Sequence, residues 1–157
     1  MTRVLFRFHK NYDVCLQNLR LLRLLNPDVP IHGMYGGEDA LSALPKELTD
    51  SFDSLWSVPL DDPYYKWKNG DLCVRWWYKS VGHQCSFSHL YLVEWDMLLL
   101  KPLKKIYGDL KVDCNYASIF GDFNRAKEIG WYWIREQFGV EVERLLKQLQ
   151  SENRPVN

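Results

Sequence analysis

His89-Leu90-Tyr91-Leu92-Val93-Glu94-Trp95-Asp96-Met97-Leu98-Leu99-Leu100 opens as an apolar run of strand-forming residues and reaches two carboxylates with a tryptophan between them. Further apolar residues follow, then Lys101-Pro102. Side chains alternate along a strand, so Glu94 and Asp96 would share a face if the chain stayed extended through Asp96. Two acids at the end of an otherwise buried strand are costly unless a cation or hydrogen-bond donors receive them. A divalent cation carrying a diphosphate is one such receiver, because hard cations favour carboxylate and phosphate oxygens.

Upstream of this run the pattern is strand, helix, strand. In Arg3 to Phe8, Val4, Phe6 and Phe8 alternate with Arg3, Leu5 and Arg7, which predicts a first strand. His9-Lys10-Asn11-Tyr12-Asp13 reads as a polar loop, with Asn11 or Asp13 placed to cap the helix that follows. Val14, Leu19, Leu22 and Leu25 recur at helical spacing up to Asn26, and Asn26-Pro27-Asp28 stops that helix. Ile31 to Tyr35 is a short second strand running into Gly36-Gly37-Glu38-Asp39. Short links of this kind favour a parallel pair with a crossover helix.

Beyond them, Ala40 to Phe52 holds a weak helical piece around Pro45, and Leu55 to Leu60 reads as a third strand. Tyr64 to Gly70 is an aromatic and basic loop, suited either to stacking on rings and meeting phosphate or to covering the core. Asp71 is placed to cap a helix to about Val81, whose Leu72, Trp76 and Lys79 differ in character from Cys73, Trp77 and Val81, so that one side can bury and the other face a cleft. After the acidic triplet, Leu103 to Leu110 reads as linker and Asp113 to Phe120 as another strand. Asn124 to Phe138 and Val140 to Gln150 read as helices parted by Gly139, the first rich in aromatics around Trp131. The expected organisation is one domain over residues 1–150 and a polar tail over 151–157.

Lysine plus arginine balance aspartate plus glutamate, 20 against 20, which leaves no electrostatic footprint for nucleic acid or an anionic membrane. Cys15, Cys73, Cys85 and Cys114 are far apart and form no Cys-x-x-Cys pair, so neither a zinc site nor a disulfide framework is expected, and each reads as a small buried residue. No apolar run is long enough to span a membrane, and the first residues lack a signal-peptide pattern, so the chain as written is expected to be cytoplasmic. A secretory compartment is the expectation if residues precede Met1.

From Arg3 to Leu103 the order of elements, together with Glu94-Trp95-Asp96 in the place of an Asp-x-Asp motif, resembles the GT-A-type glycosyltransferases. The resemblance implies a Rossmann-like α/β/α sandwich with a mostly parallel central sheet. It implies transfer of a sugar from a UDP- or GDP-linked donor to an acceptor that the sequence does not name. It also implies a divalent cation, Mn2+ or Mg2+, held by Asp96 and Glu94, of which Asp96 is the more direct ligand. Donor nucleotide contacts would come from His9, Lys10 and Asn11 after the first strand, and from the turn after the second. Many members of the family carry an acid near the end of that second strand; Met34-Tyr35 stands here, so Tyr35 would stack on the base instead. The helix before the metal strand would add Asp71 and Arg75, the latter neutralising the diphosphate with bidentate geometry.

An inverting enzyme would further need a carboxylate base near the acceptor, for which Asp122 and Glu128 are the nearby candidates. The late metal-binding histidine common in the family has no counterpart, the last of the four histidines being His89. The competing reading is therefore a nucleotide or nucleotide-sugar binding module without transfer, or a truncated remnant of such an enzyme.

Overall fold

The structure is a computed structural model and describes residues 1–59, 66, 69–108, 144, 147, 148, 151 and 152. Two compact units divide the chain, Met1–Asn115 and Tyr116–Asn157, and the sheet and helices below belong to the first. The expected strand over Asp113 to Phe120, the helix around Trp131 and the candidate bases Asp122 and Glu128 lie outside the described residues.

Strands β1 (Thr2–Phe8), β2 (Ile31–Tyr35), β3 (Ser54–Ser57) and β4 (His89–Glu94) form a four-stranded sheet in the order β3-β2-β1-β4, every pair parallel. The protein is thus an α/β protein. Parallel strands need crossovers, and the helices supply them: α1 (Tyr12–Leu25) joins β1 to β2, and α3 (Gly70–Ser80) precedes β4. The short α2 (Lys46–Thr49) lies before β3, and α4 (Leu103–Tyr107) follows the acidic triplet.

Both faces of the sheet are covered, and the alternation along β1 shows how. Val4, Phe6 and Phe8 join Leu19 and Leu22 of α1 in one fully buried cluster, whereas Leu5 joins Met34, Cys73 and Trp77 on the other face. Central parallel strands lose solvent on both sides, which is why every residue of β2 is buried. Gly33 is small of necessity, since a Cβ there would lie 2.6 Å from Leu55 Cδ1. Cys73 and Trp77 are buried, so theirs is the side of the helix that packs on the core; Cys15 is buried too, while Cys85 is half-buried.

The boundaries differ from expectation at identifiable places. Helix α1 starts at Tyr12, and Asn11 takes the capping position through its backbone: its carbonyl accepts the Cys15 N–H at 3.0 Å while its side chain makes no cap. Asn11 has φ 52°, the left-handed conformation that a short polar side chain tolerates. Helix α3 is preceded by Asn69, so Asp71 lies inside its first turn instead of capping it. Leu103 to Tyr107 is helical where a linker was expected, because Pro102 opens a turn whose carbonyl receives the Lys105 and Ile106 N–H groups. Strand β3 ends at Ser57, short of Leu60. No helix among the described residues is long and apolar enough to cross a membrane.

Candidate functional site at the carboxyl end of the sheet

The strand order reverses at β1: the chain moves outward through β2 to β3, then returns to place β4 on the other side. In open α/β sheets the crevice outside the carboxyl ends of the strands at such a reversal is the usual place for a ligand. Here that position is occupied by the loop after β1 and the turn after β4.

Strand β4 ends at Glu94. Met97 N–H closes a turn on the Glu94 carbonyl at 3.0 Å, and Trp95 and Asp96 are its middle residues. The extended geometry that would put Glu94 and Asp96 on one face therefore stops at Glu94, and the two acids have different surroundings. Asp96 is exposed. Glu94 is half-buried and accepts the Arg7 Nε–H at 2.7 Å; the two residues are register partners on neighbouring strands. Burial pushes the Glu94 carboxyl above its ordinary range, against the pull of the Arg7 guanidinium.

Trp95 is fixed from three sides. Its N–H donates to the Arg7 carbonyl at 2.9 Å, its carbonyl accepts from Asn18 Nδ2 of α1 at 2.8 Å, and His9 meets its ring edge-on with centroids 5.7 Å apart. The Lys10 ammonium stands 5.6 Å above the same ring, a cation–π distance. The loop after β1 and the acidic turn are thereby one structure. Burial, and then the cations Lys10 and Arg7, lower the His9 imidazole against the opposing pull of Asp96, which favours the neutral ring.

The turn after β2 carries a second network. Tyr12 donates to Asp39 Oδ2 at 2.6 Å, so the 2.8 Å contact between the hydroxyls is donated by Tyr35, which in turn accepts the Asp39 N–H at 3.2 Å. Burial, with the Asp39 and Tyr35 hydrogen bonds, pushes the Tyr12 phenol upward. Gly37 is where this network forbids a side chain, since a Cβ there would sit 2.1 Å from the Tyr35 hydroxyl oxygen. Lys66, itself buried, donates from Nζ to the Gly37 carbonyl at 3.0 Å.

Of the residues expected from sequence, His9 and Lys10 meet Trp95, which stands between Glu94 and Asp96, and Asn11 follows them at the start of α1. Tyr35 is different: its ring is wholly buried with a centroid 5.1 Å from that of Phe8, so both faces are covered by protein and its hydroxyl positions the turn. Asp71 lies in the first turn of α3. Arg75 is exposed on α3, five residues past Gly70 and so roughly 7 Å along the axis from the start of that helix. Sequence reasoning missed Tyr12, assigned to a loop, and gave no role to Arg7. The signal for Arg7 was a cation near the end of a buried strand in a chain whose acidic strand end required one.

Among the described residues no three His, Cys, Asp or Glu side chains converge to hold a metal. The exposed Asp96 carboxylate suits one bond to a hard cation whose remaining ligands are phosphate oxygens and water, the usual manner of Mg2+. Glu94, tied to Arg7, suits a place outside that ligand set. No protein-family model matches the chain, and comparison with curated proteins and with solved structures finds no similar protein.

Proposed function

We propose that the protein binds a nucleoside-diphosphate sugar at the β1 loop and the Glu94-Trp95-Asp96 turn, as a GT-A-type glycosyltransferase. The observation that carries this reading is the placement of the acidic triplet. It falls at the carboxyl end of β4, the neighbour of β1 where the sheet order reverses, and it is locked through Trp95 to His9 and Lys10. Asp96 would hold a divalent cation, Mn2+ or Mg2+, beside the donor diphosphate. Such a cation, when bound, stabilises the charge that grows on a departing nucleoside diphosphate. Lys10, exposed beside Trp95, adds positive charge near the phosphates, and the β1 loop with Asn11 forms the wall against the nucleoside. The acceptor is left open by these residues.

Calorimetric titration of UDP and GDP, with and without manganese, on the wild type and Asp96→Asn tests this. Metal-dependent binding that falls by about tenfold or more in the variant is the expected result, the loss of one charge-assisted ligand. A folded wild type that binds neither nucleotide in either condition sinks the donor-site reading.

A further inference from the structure

The Arg7 guanidinium is committed on one edge and unspent on the other. Its Nε–H goes to Glu94 Oε2 at 2.7 Å, and among the described residues neither Nη atom has a hydrogen-bond acceptor. A guanidinium presents five N–H donors in a rigid fork. Glu94 fixes the plane through Nε, and the end-on pair Nη1 and Nη2 is left to receive something else. The side chain is 22 % exposed, so an incoming anion can reach it.

Gly70 makes that position possible. A Cβ on Gly70 would lie 1.6 Å from Arg7 Nη1, so the guanidinium rests against a backbone that only glycine keeps clear. The carbonyl of Arg7 meanwhile holds the Trp95 N–H, which ties the same residue to the turn that presents Asp96. Arg7 thus stands at the strand reversal, aimed by a carboxylate, with a two-pronged donor edge and partial access. Phosphate oxygens match that edge, because Arg binds them bidentately.

We propose that Arg7 grips the diphosphate of the donor through Nη1 and Nη2, and that Glu94 aims Arg7 while Asp96 alone faces the metal. The inference deepens the donor-site reading and rests on it for the nucleoside, though not for the anion. It gives the two acids of the triplet separate work, and it moves the phosphate-neutralising cation from Arg75 to a residue at the strand end itself.

The test uses inorganic pyrophosphate without metal, titrated calorimetrically into wild type, Arg7→Lys, Asp96→Asn and Gly70→Ala, with circular dichroism and melting as the check on folding. Arg7→Lys keeps the charge and the pairing with Glu94 but loses the fork, so pyrophosphate should bind roughly tenfold more weakly. Asp96→Asn should not weaken metal-free pyrophosphate binding, because it removes a repelling carboxylate, and it should lose manganese-dependent UDP binding. Equal pyrophosphate affinity in wild type and Arg7→Lys overturns the proposal, as does a wild type that binds no pyrophosphate. Should Arg7→Lys fail to fold, Gly70→Ala decides. It displaces Nη1 without removing charge, so weakened binding supports the grip and unchanged binding overturns it. Pyrophosphate held through Arg7 by a protein that takes neither UDP nor GDP supports the grip and sinks the donor reading. Manganese-dependent UDP binding that Arg7→Lys leaves intact does the reverse.

Discussion

The two ends of the sheet are built from similar polar residues and use them differently. At the amino end these groups are spent on holding the chain together. The Met1 ammonium donates to Ser88 Oγ at 2.9 Å, and Arg3 Nε donates to the Ser86 carbonyl at 3.1 Å. Buried Asn26 joins the end of α1 to the start of α4: its Nδ2 donates to the Leu22 carbonyl and its Oδ1 accepts the Leu103 N–H, each at 3.0 Å. A cavity of about 330 Å³ opens there, lined in part by Thr2, Asn26, Val29 and Tyr91. At the carboxyl end, Arg7, Glu94, Tyr12, Asp39, Lys10 and Asp96 connect loops from three strands and leave donors and a carboxylate facing outward. The amino end thus uses its polar groups up in the fold, and the carboxyl end keeps some of them facing outward. Loops at the carboxyl end of a parallel sheet run into helix starts, and this is where such proteins place binding groups.

This contrast breaks most visibly through Asn26. Asn26→Ala should lower stability by about 2 kcal/mol, because it strands the buried Leu103 N–H, while the Leu22 carbonyl keeps the backbone N–H of residue 26. It should leave nucleotide binding by the folded protein unchanged. A shift in the urea midpoint no larger than that of a surface substitution would remove the structural role assigned to the amino end. Tyr12→Phe sharpens the contrast from the other side: about 1 kcal/mol of stability should be lost with the hydroxyl that joins Asp39 to Tyr35. Its larger consequence should be weaker UDP binding, through a loosened turn after β2. An unaltered dissociation constant would show that this turn is scaffold only.

The smallest effect is a slope in stability against pH, and it belongs to the amino half. His32 is 5 % exposed. Its Nε2 accepts from Arg3 Nη1 at 3.0 Å, since a guanidinium only donates, and its Nδ1–H therefore donates to Ser54 Oγ at 2.7 Å. Burial first, and Arg3 second, hold its pKa below the ordinary 6.5, with Asp53 pulling the other way. A depressed pKa means that the unfolded chain binds the proton first as pH falls. The contribution is thus fully present above 6.5 and is lost as pH drops through the lower folded value. Melting temperature should decline across that window in the wild type and less steeply in His32→Gln. Parallel declines would assign the pH dependence elsewhere.

Much of the frame was legible in residues 1–100. Val4, Phe6 and Phe8 against Leu5, the helical spacing of Leu19 and Leu22, and the run into Val93 each report a periodicity that backbone geometry imposes locally. The position of the acidic triplet followed from the same pattern. The directions of its side chains did not: the turn at Trp95-Asp96 depends on a backbone bond to Arg7 and a side-chain bond from Asn18, both distant in sequence. Tyr35 illustrates the same limit. Its place at the end of β2 was readable, but its ring is claimed by Phe8 and its hydroxyl by Tyr12 and Asp39, which only packing reveals.

The sequence by itself determined an α/β chain with parallel crossovers, buried central strands and two acids at a strand end, because these rest on local periodicity and on the cost of burying charge. Only the tertiary structure decided that Glu94 belongs to Arg7 and that Asp96 stands free of it. It also decided that Gly70 makes room for a guanidinium. Those facts arise where β1, β4 and the start of α3 converge. Residues far apart in the chain meet there through strand order and register, and no local pattern encodes their meeting.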